Sequence, residues 1–133
     1  MRTRLGLWGP VVLCMALLFH ESSQPSVPAL VDRIWDKLLH SGAYAVLGGL
    51  MLRALSEGFR RPVTAGMAAV AVLLTTLYGA SDEFHQWFVP PREMDARDLV
   101  ADFTGASIAA MAGYLCFRPR RAPHDPERFG KTL

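Results

Sequence analysis

The stretch YGASDEFHQWFVPPREMDARDLVAD, residues 78–102, decides how this chain folds. Six carboxylates (Asp82, Glu83, Glu93, Asp95, Asp98 and Asp102) stand there with Arg92, Arg97, His85 and Gln86, between two apolar runs. The run before it, 63–77, is only 15 residues long. A helix that crosses a bilayer needs ~20 residues, so this one must continue through Gly79, Asp82 and Glu83 before Pro90 and Pro91 end it. Ionisable side chains at that depth are expensive and point first to a working site.

Working outward, three more apolar runs of span length or nearly so appear. The expected fold class is all-α, an integral membrane four-helix bundle filling residues 1–117, with spans over 5–20, 36–55, 63–84 and 98–117. Asp36 is expected to cap the second span, and Pro62 stands where the third should begin. Gly105, Ala109 and Gly113 recur four residues apart on the fourth span, a spacing that lets helices approach closely in lipid. The basic tail 118–133 is rich in proline and has no reason to fold. The first run is short for a span and follows a basic start, as in a signal peptide. No small-residue cleavage site follows it, because His20 and Glu21 stand there, so a retained helix is expected.

Composition narrows the class further. At 133 residues, one domain is expected. Half the residues are apolar and fall in blocks, the pattern of a membrane protein. A formal net charge of +2 gives no argument for nucleic acid as a partner. Cys14 and Cys116 belong to neither a CxxC nor a Cys/His metal spacing and read as small hydrophobes. No nucleotide-binding glycine loop is present; no cofactor and no metal is expected. Orientation follows from lysine and arginine. Ten of them flank the ends of the spans that carry the two termini and the 56–62 connection, and four lie on the other side. Both termini are therefore expected in the cytoplasm, with nine of the twelve carboxylates on the outer side.

Helical spacing groups those carboxylates with other polar residues. Asp36, His40 and Tyr44 share a face of the second span, with Lys37 beside them. Tyr78, Asp82 and Gln86 do so on the third, and Asp95, Asp98 and Asp102 on the fourth. In lipid such stripes should turn toward one another. Simpler readings exist. Asp36, Asp95 and Asp98 could be N-caps, Lys37 could snorkel to head groups, and His85 could join Trp87 and Phe88 in an interfacial aromatic belt. Asp82 and Glu83 resist such readings, because they are adjacent and lie at the end of their helix where the dipole disfavours anions. They need cations, protons or a metal. Lys37 or His40 is expected to lie within one water of Asp82 or Glu83.

Together these residues resemble the VanZ-like family of small bacterial membrane proteins. The resemblance is carried by DKLLHSGAYAVLG at 36–48 and DEFHQWFVPPREMDARDLVADFTGASIA at 82–109, and it covers about residues 5–117. The double proline before Arg92 departs from the family's more usual proline-glycine. The family takes its name from a protein linked to teicoplanin resistance, and that role does not transfer to this chain. What the resemblance implies is a set of polar positions: Asp36, Lys37, His40, Tyr44, Asp82, Glu83, Gln86, Arg92, Asp98 and Asp102.

Three functions fit this pattern. In the first, an outward-facing polar site binds an anionic or sugar-bearing envelope or lipid group, with the bilayer as its other partner. A second is a membrane-embedded enzyme in which Asp82 or Glu83 acts as base and His40 as acid, or in which they ligate a metal with Asp98. The third is a structural partner subunit held by ion pairs. The sequence does not fix the oligomeric state. On the topology, reporter fusions at Gly58 and Gly130 should report cytoplasm and one at Ser26 the outside. An external signal at Gly130 would contradict an even number of spans.

Overall fold

The computed structural model describes residues 3–24, 33–89 and 95–119, with 33–36 in backbone alone. It contains four helices: α1 (Arg4–Ser22), α2 (Arg33–Leu55), α3 (Ala65–Gln86) and α4 (Ala96–Phe117). No strand occurs among the described residues. All four are long and apolar enough to cross a membrane, and their positions follow the expected spans. The protein is an all-α, multi-spanning membrane protein. Part of the tail, 120–133, lies outside the described residues, and so do Arg92 and the two prolines before it.

Local chemistry sets the helix ends. Thr3 caps α1, its hydroxyl accepting from the Gly6 amide at 3.2 Å. Pro10 lies inside α1 and has no N–H to give the Gly6 carbonyl four residues back. The Arg53 guanidinium of α2 donates to that carbonyl at 3.4 Å, so the gap left by Pro10 becomes a tie between two helices. Two expected starts are corrected. Helix α2 opens at Arg33, so Asp36 sits inside its first turn instead of capping it. Helix α3 opens at Ala65, not at Pro62. Val63 is held outside it by donating its N–H to the Phe117 carbonyl at 2.8 Å, and Thr64 caps the helix by accepting from the Met67 amide at 3.2 Å.

The bundle is centred on α2, which packs most extensively on α4 and also touches α1 and α3. Residues along α2 and α4 meet in the same order, so the two helices run parallel. A methyl placed on Gly105 would land on the Ser41 carbonyl oxygen, one on Gly48 would lie 3.0 Å from the Ala106 Cα, and one on Gly113 would meet Leu52. The small-residue face of α4 is therefore the contact with α2, as its spacing predicts. Tyr44, Leu47, Leu52, Val11 and Ala71 fill the buried core. Leu13, Leu17, Leu73, Phe103 and Leu115 remain exposed around the bundle. So much outward apolar surface suits lipid and would be a liability in water.

This contact yields a comparison of two glycines. Gly105→Val drives a side chain into the Ser41 backbone and should destabilise the bundle by about 1–3 kcal/mol or more. Gly42→Ala meets nothing within 4 Å and should be neutral or slightly stabilising through helix propensity. Thermal denaturation in detergent measures both. Equal melting temperatures for the two variants would contradict the close α2–α4 approach.

Candidate functional site

At one end of the bundle, three helices contribute to a single polar cluster. The parallel α2–α4 contact sets two rungs of it. Lys37 Nζ donates to Asp95 Oδ2 at 2.9 Å and also to Asp98 Oδ1. One turn deeper, His40 Nδ1 lies 3.2 Å from Asp102 Oδ1. Asp102 is only 1% exposed. Space for it is made by α3, where Gly79 leaves room that a methyl would lose, 2.8 Å from Asp102 Oδ2 and 3.1 Å from the Tyr44 ring.

Helix α3 adds the two carboxylates that had no simple reading. Asp82 Oδ2 accepts from the Tyr44 hydroxyl at 3.4 Å and from the Gln86 amide at 3.5 Å, both at the long limit for a hydrogen bond. Glu83 Oε2 accepts from the Asp95 backbone N–H at 3.0 Å, at the N-terminus of α4. The dipole of α3 disfavours Glu83, but the positive end of α4 lies against it and offsets this. Among the described residues, Asp82 Oδ1 and Glu83 Oε1 are buried with no hydrogen-bonding partner. Such unpaired acceptors are uncommon and call for an explanation.

Asp95 shows what full pairing does. Its side chain caps α4 by accepting from the Arg97 amide at 2.9 Å. That bond first, and Lys37 second, hold its carboxyl below the usual carboxylate range. The depressed value means that its stabilising contribution is complete above the ordinary carboxylate pKa. It is lost only as pH falls through the lowered one.

Of the cavities along the bundle, two bear on the site. One of about 370 Å³ is bounded by α1, α2 and α3 and bordered by Glu21, Ser22, His40, Tyr44, Asp82 and Gln86. The other, about 530 Å³ between α3 and α4, is lined by alanines and large apolar groups and has no charged side chain. The smaller one adjoins the chemistry. A third arrangement is compact enough for an ion: ligating atoms of His40, Glu83 and Asp98 all lie within 4.8 Å of one another. They come from three helices, which is why no metal spacing exists in the sequence.

A family model described as VanZ/LLP1 matches residues 7–118. The chain belongs to the VanZ/LLP1 family. No curated protein and no solved structure gives a significant match. Family membership and four apolar helices fix the class of protein; they assign no ligand.

In this VanZ/LLP1 chain, Lys37, His40, Tyr44, Asp82, Glu83, Gln86, Asp98 and Asp102 come together as the sequence suggests. Only the backbone of Asp36 is described, and Arg92 lies outside the described residues. The expected proximity of α2 and α3 holds through His40 and Glu83, but the direct partners of Lys37 and His40 lie on α4. Lys37 does not snorkel to the surface. Asp98 is not a cap; it pairs with Lys37 from the first turn of α4. His85 is not merely part of an aromatic belt. Its ring lies 4.5 Å from that of Phe19, and its Nε2 is 3.2 Å from Ser23 Oγ, which joins α3 to the end of α1. Sequence reasoning left Asp95 out of the site, although its place three residues before Asp98 on one face was the available signal. It also missed Gly79, whose only signal was a glycine one turn before Asp82.

A double-mutant cycle tests the first rung. Lys37→Met leaves Asp98 buried without its cation, and Lys37→Met with Asp98→Asn removes that charge as well. The pair should show a coupling energy of about 0.5–3 kcal/mol in detergent unfolding. Strict additivity would mean that the contact contributes nothing.

Proposed function

We propose that this protein binds a hydroxyl-bearing polar group, such as the sugar head of an envelope lipid. The site is the carboxylate-lined end of the bundle, at the outer face of the bacterial cytoplasmic membrane. One observation carries this reading: buried Asp82 has an acceptor oxygen with no donor among the described residues, and it lines a cavity of about 370 Å³, a volume within the usual range of small-molecule sites, about 300–1,000 Å³. The lining suits a sugar. Asp82 and Gln86 can exchange hydrogen bonds with hydroxyls, and Tyr44 adds an aromatic surface.

The charge balance favours hydroxyls over a bare anion. Five carboxylates (Asp82, Glu83, Asp95, Asp98 and Asp102) face Lys37 and His40 among the described side chains, and both of these are already engaged by α4. What remains is acceptors seeking donors. Orientation rests on the ten-to-four excess of basic residues at the opposite end, and the apolar bundle surface supplies contact for the lipid's chains. A purely structural lock explains Asp82 less well, because a lock gains from complete pairing.

Mass spectrometry of the full chain purified in mild detergent tests the proposal. A defined glycolipid or phosphosugar lipid should copurify. Asp82→Asn keeps the shape of the carboxylate but not its charge. It should lose the lipid while staying abundant in the membrane and melting within a few degrees of the parent. Parallel loss of abundance and lipid would favour the structural lock, and no copurifying lipid in either form would overturn the proposal.

A further inference from the structure

We infer that His40, Glu83 and Asp98 form a binding site for one divalent first-row transition ion, of the Mn²⁺ or Zn²⁺ type. This goes beyond the lipid reading and does not depend on it: His40 borders the cavity that carries that reading, but Glu83 and Asp98 do not.

The geometry is the first ground. One imidazole nitrogen and two carboxylate oxygens, each from a different helix, converge within 4.8 Å. Ligands held at ~2.0–2.2 Å around an ion stand roughly 3.3–3.6 Å apart in a tetrahedral site, so loading draws these atoms in by about 1 Å. Carboxylate rotation supplies such a movement without shifting a helix.

A second ground is independent of the clustering. Glu83 is only 3% exposed, and its Oε1 lacks a donor among the described residues, while Oε2 is held by the Asp95 amide. A buried carboxylate fixed through one oxygen, whose other oxygen no described residue donates to, is preorganised for a cation. His40 adds a third ground. Its Nδ1 is taken by Asp102 at 3.2 Å, and a carboxylate on one nitrogen of a ligating histidine fixes the ring and makes the other nitrogen more basic. The proposal assigns the ion to Nε2. Charge agrees: a divalent ion and Lys37, which pairs with both Asp95 and Asp98, together balance Glu83, Asp95 and Asp98.

The ligand set selects the class of ion. Mg²⁺ and Ca²⁺ prefer shells made wholly of oxygen, whereas an imidazole with two carboxylates suits transition ions. The rival account is that a side-chain cation completes the cluster, either Lys37 or Arg92, in which case no ion is needed.

Metal analysis of the full chain decides between them. Purified in detergent without chelator, the protein should carry one divalent ion per chain by plasma mass spectrometry. After stripping with a chelator it should melt at a lower temperature and recover with added Mn²⁺ or Zn²⁺. Glu83→Gln and Asp98→Asn should abolish both retention and recovery. Asp102→Asn, acting through the His40 ring, should weaken affinity about 10–100-fold. Asp82→Asn, which tests lipid binding, should leave the ion in place, so the two readings fail separately. Two results overturn the inference. One is a stripped wild type with no thermal response to Mn²⁺ or Zn²⁺, which needs no variant to fold. The other is metal retained equally by Glu83→Gln and Asp98→Asn, the mark of adventitious binding by His20, His85 or His124.

Discussion

The approach of Gly105 to the Ser41 carbonyl governs the rest of the molecule. It brings the parallel helices α2 and α4 nearly into backbone contact. At that separation Lys37 reaches Asp95 and Asp98, and His40 reaches Asp102. A side chain at position 105 would part both rungs at once. Lipid gives no reward for burying apolar surface between helices, so close packing and polar contacts must supply the association. Here the two are one device, because the glycine contact sets the register of the ion pairs.

That register also decides how the carboxylates are tolerated. The first turns of α2 and α4 lie at the same end of the bundle, so two positive helix ends face the cluster. Glu83 uses this directly by accepting the Asp95 N–H, the first backbone donor ahead of α4. Asp82 gets less. Its hydrogen bonds from Tyr44 and Gln86 are long, and neither donor brings a charge. Two adjacent residues of α3 therefore experience different electrostatics, although both look equally unfavourable when α3 is considered alone.

Much of this was legible in the sequence. Apolar block lengths with Pro90 and Pro91 located the spans, and the four-residue recurrence of Gly105, Ala109 and Gly113 marked the packing face. The polar stripes named most of the cluster. What the sequence could not supply was the pairing of helices. Periodicity gives the face of each helix but not the neighbour it turns to, so Lys37 and His40 read equally well as partners of α3 or α4. The caps of α2 and α3 were misplaced for a similar reason. Asp36 and Pro62 are good start residues, but tertiary ties and a competing cap moved the starts: the Phe117 carbonyl holds Val63, and Thr64 caps α3. The site at His40, Glu83 and Asp98 was invisible as a spacing because it exists only once three helices are assembled.

The division of labour among the helices follows from this pairing. On the face between α2 and α4, Asp95 and Asp98 pair with Lys37 and Asp102 with His40, and breaking a pair would leave a charge in a poorly solvating place. These contacts hold the bundle together. On α3, Asp82 and Glu83 each keep one buried oxygen without a donor among the described residues. Selection for stability alone would favour amides or apolar groups there, since an unpaired buried acceptor only costs. Helix α3 has other ties: Tyr78 donates to the Met15 carbonyl of α1 at 2.6 Å, and His85 meets Phe19 and Ser23. It therefore does not need its carboxylates to stay in the bundle. The proposed ligands supply each of these buried oxygens with a partner: a hydroxyl donor for Asp82 and a cation for Glu83. In the proposed ion site, Glu83 comes from α3, while His40 and Asp98 come from the α2–α4 pair whose close contact sets their register.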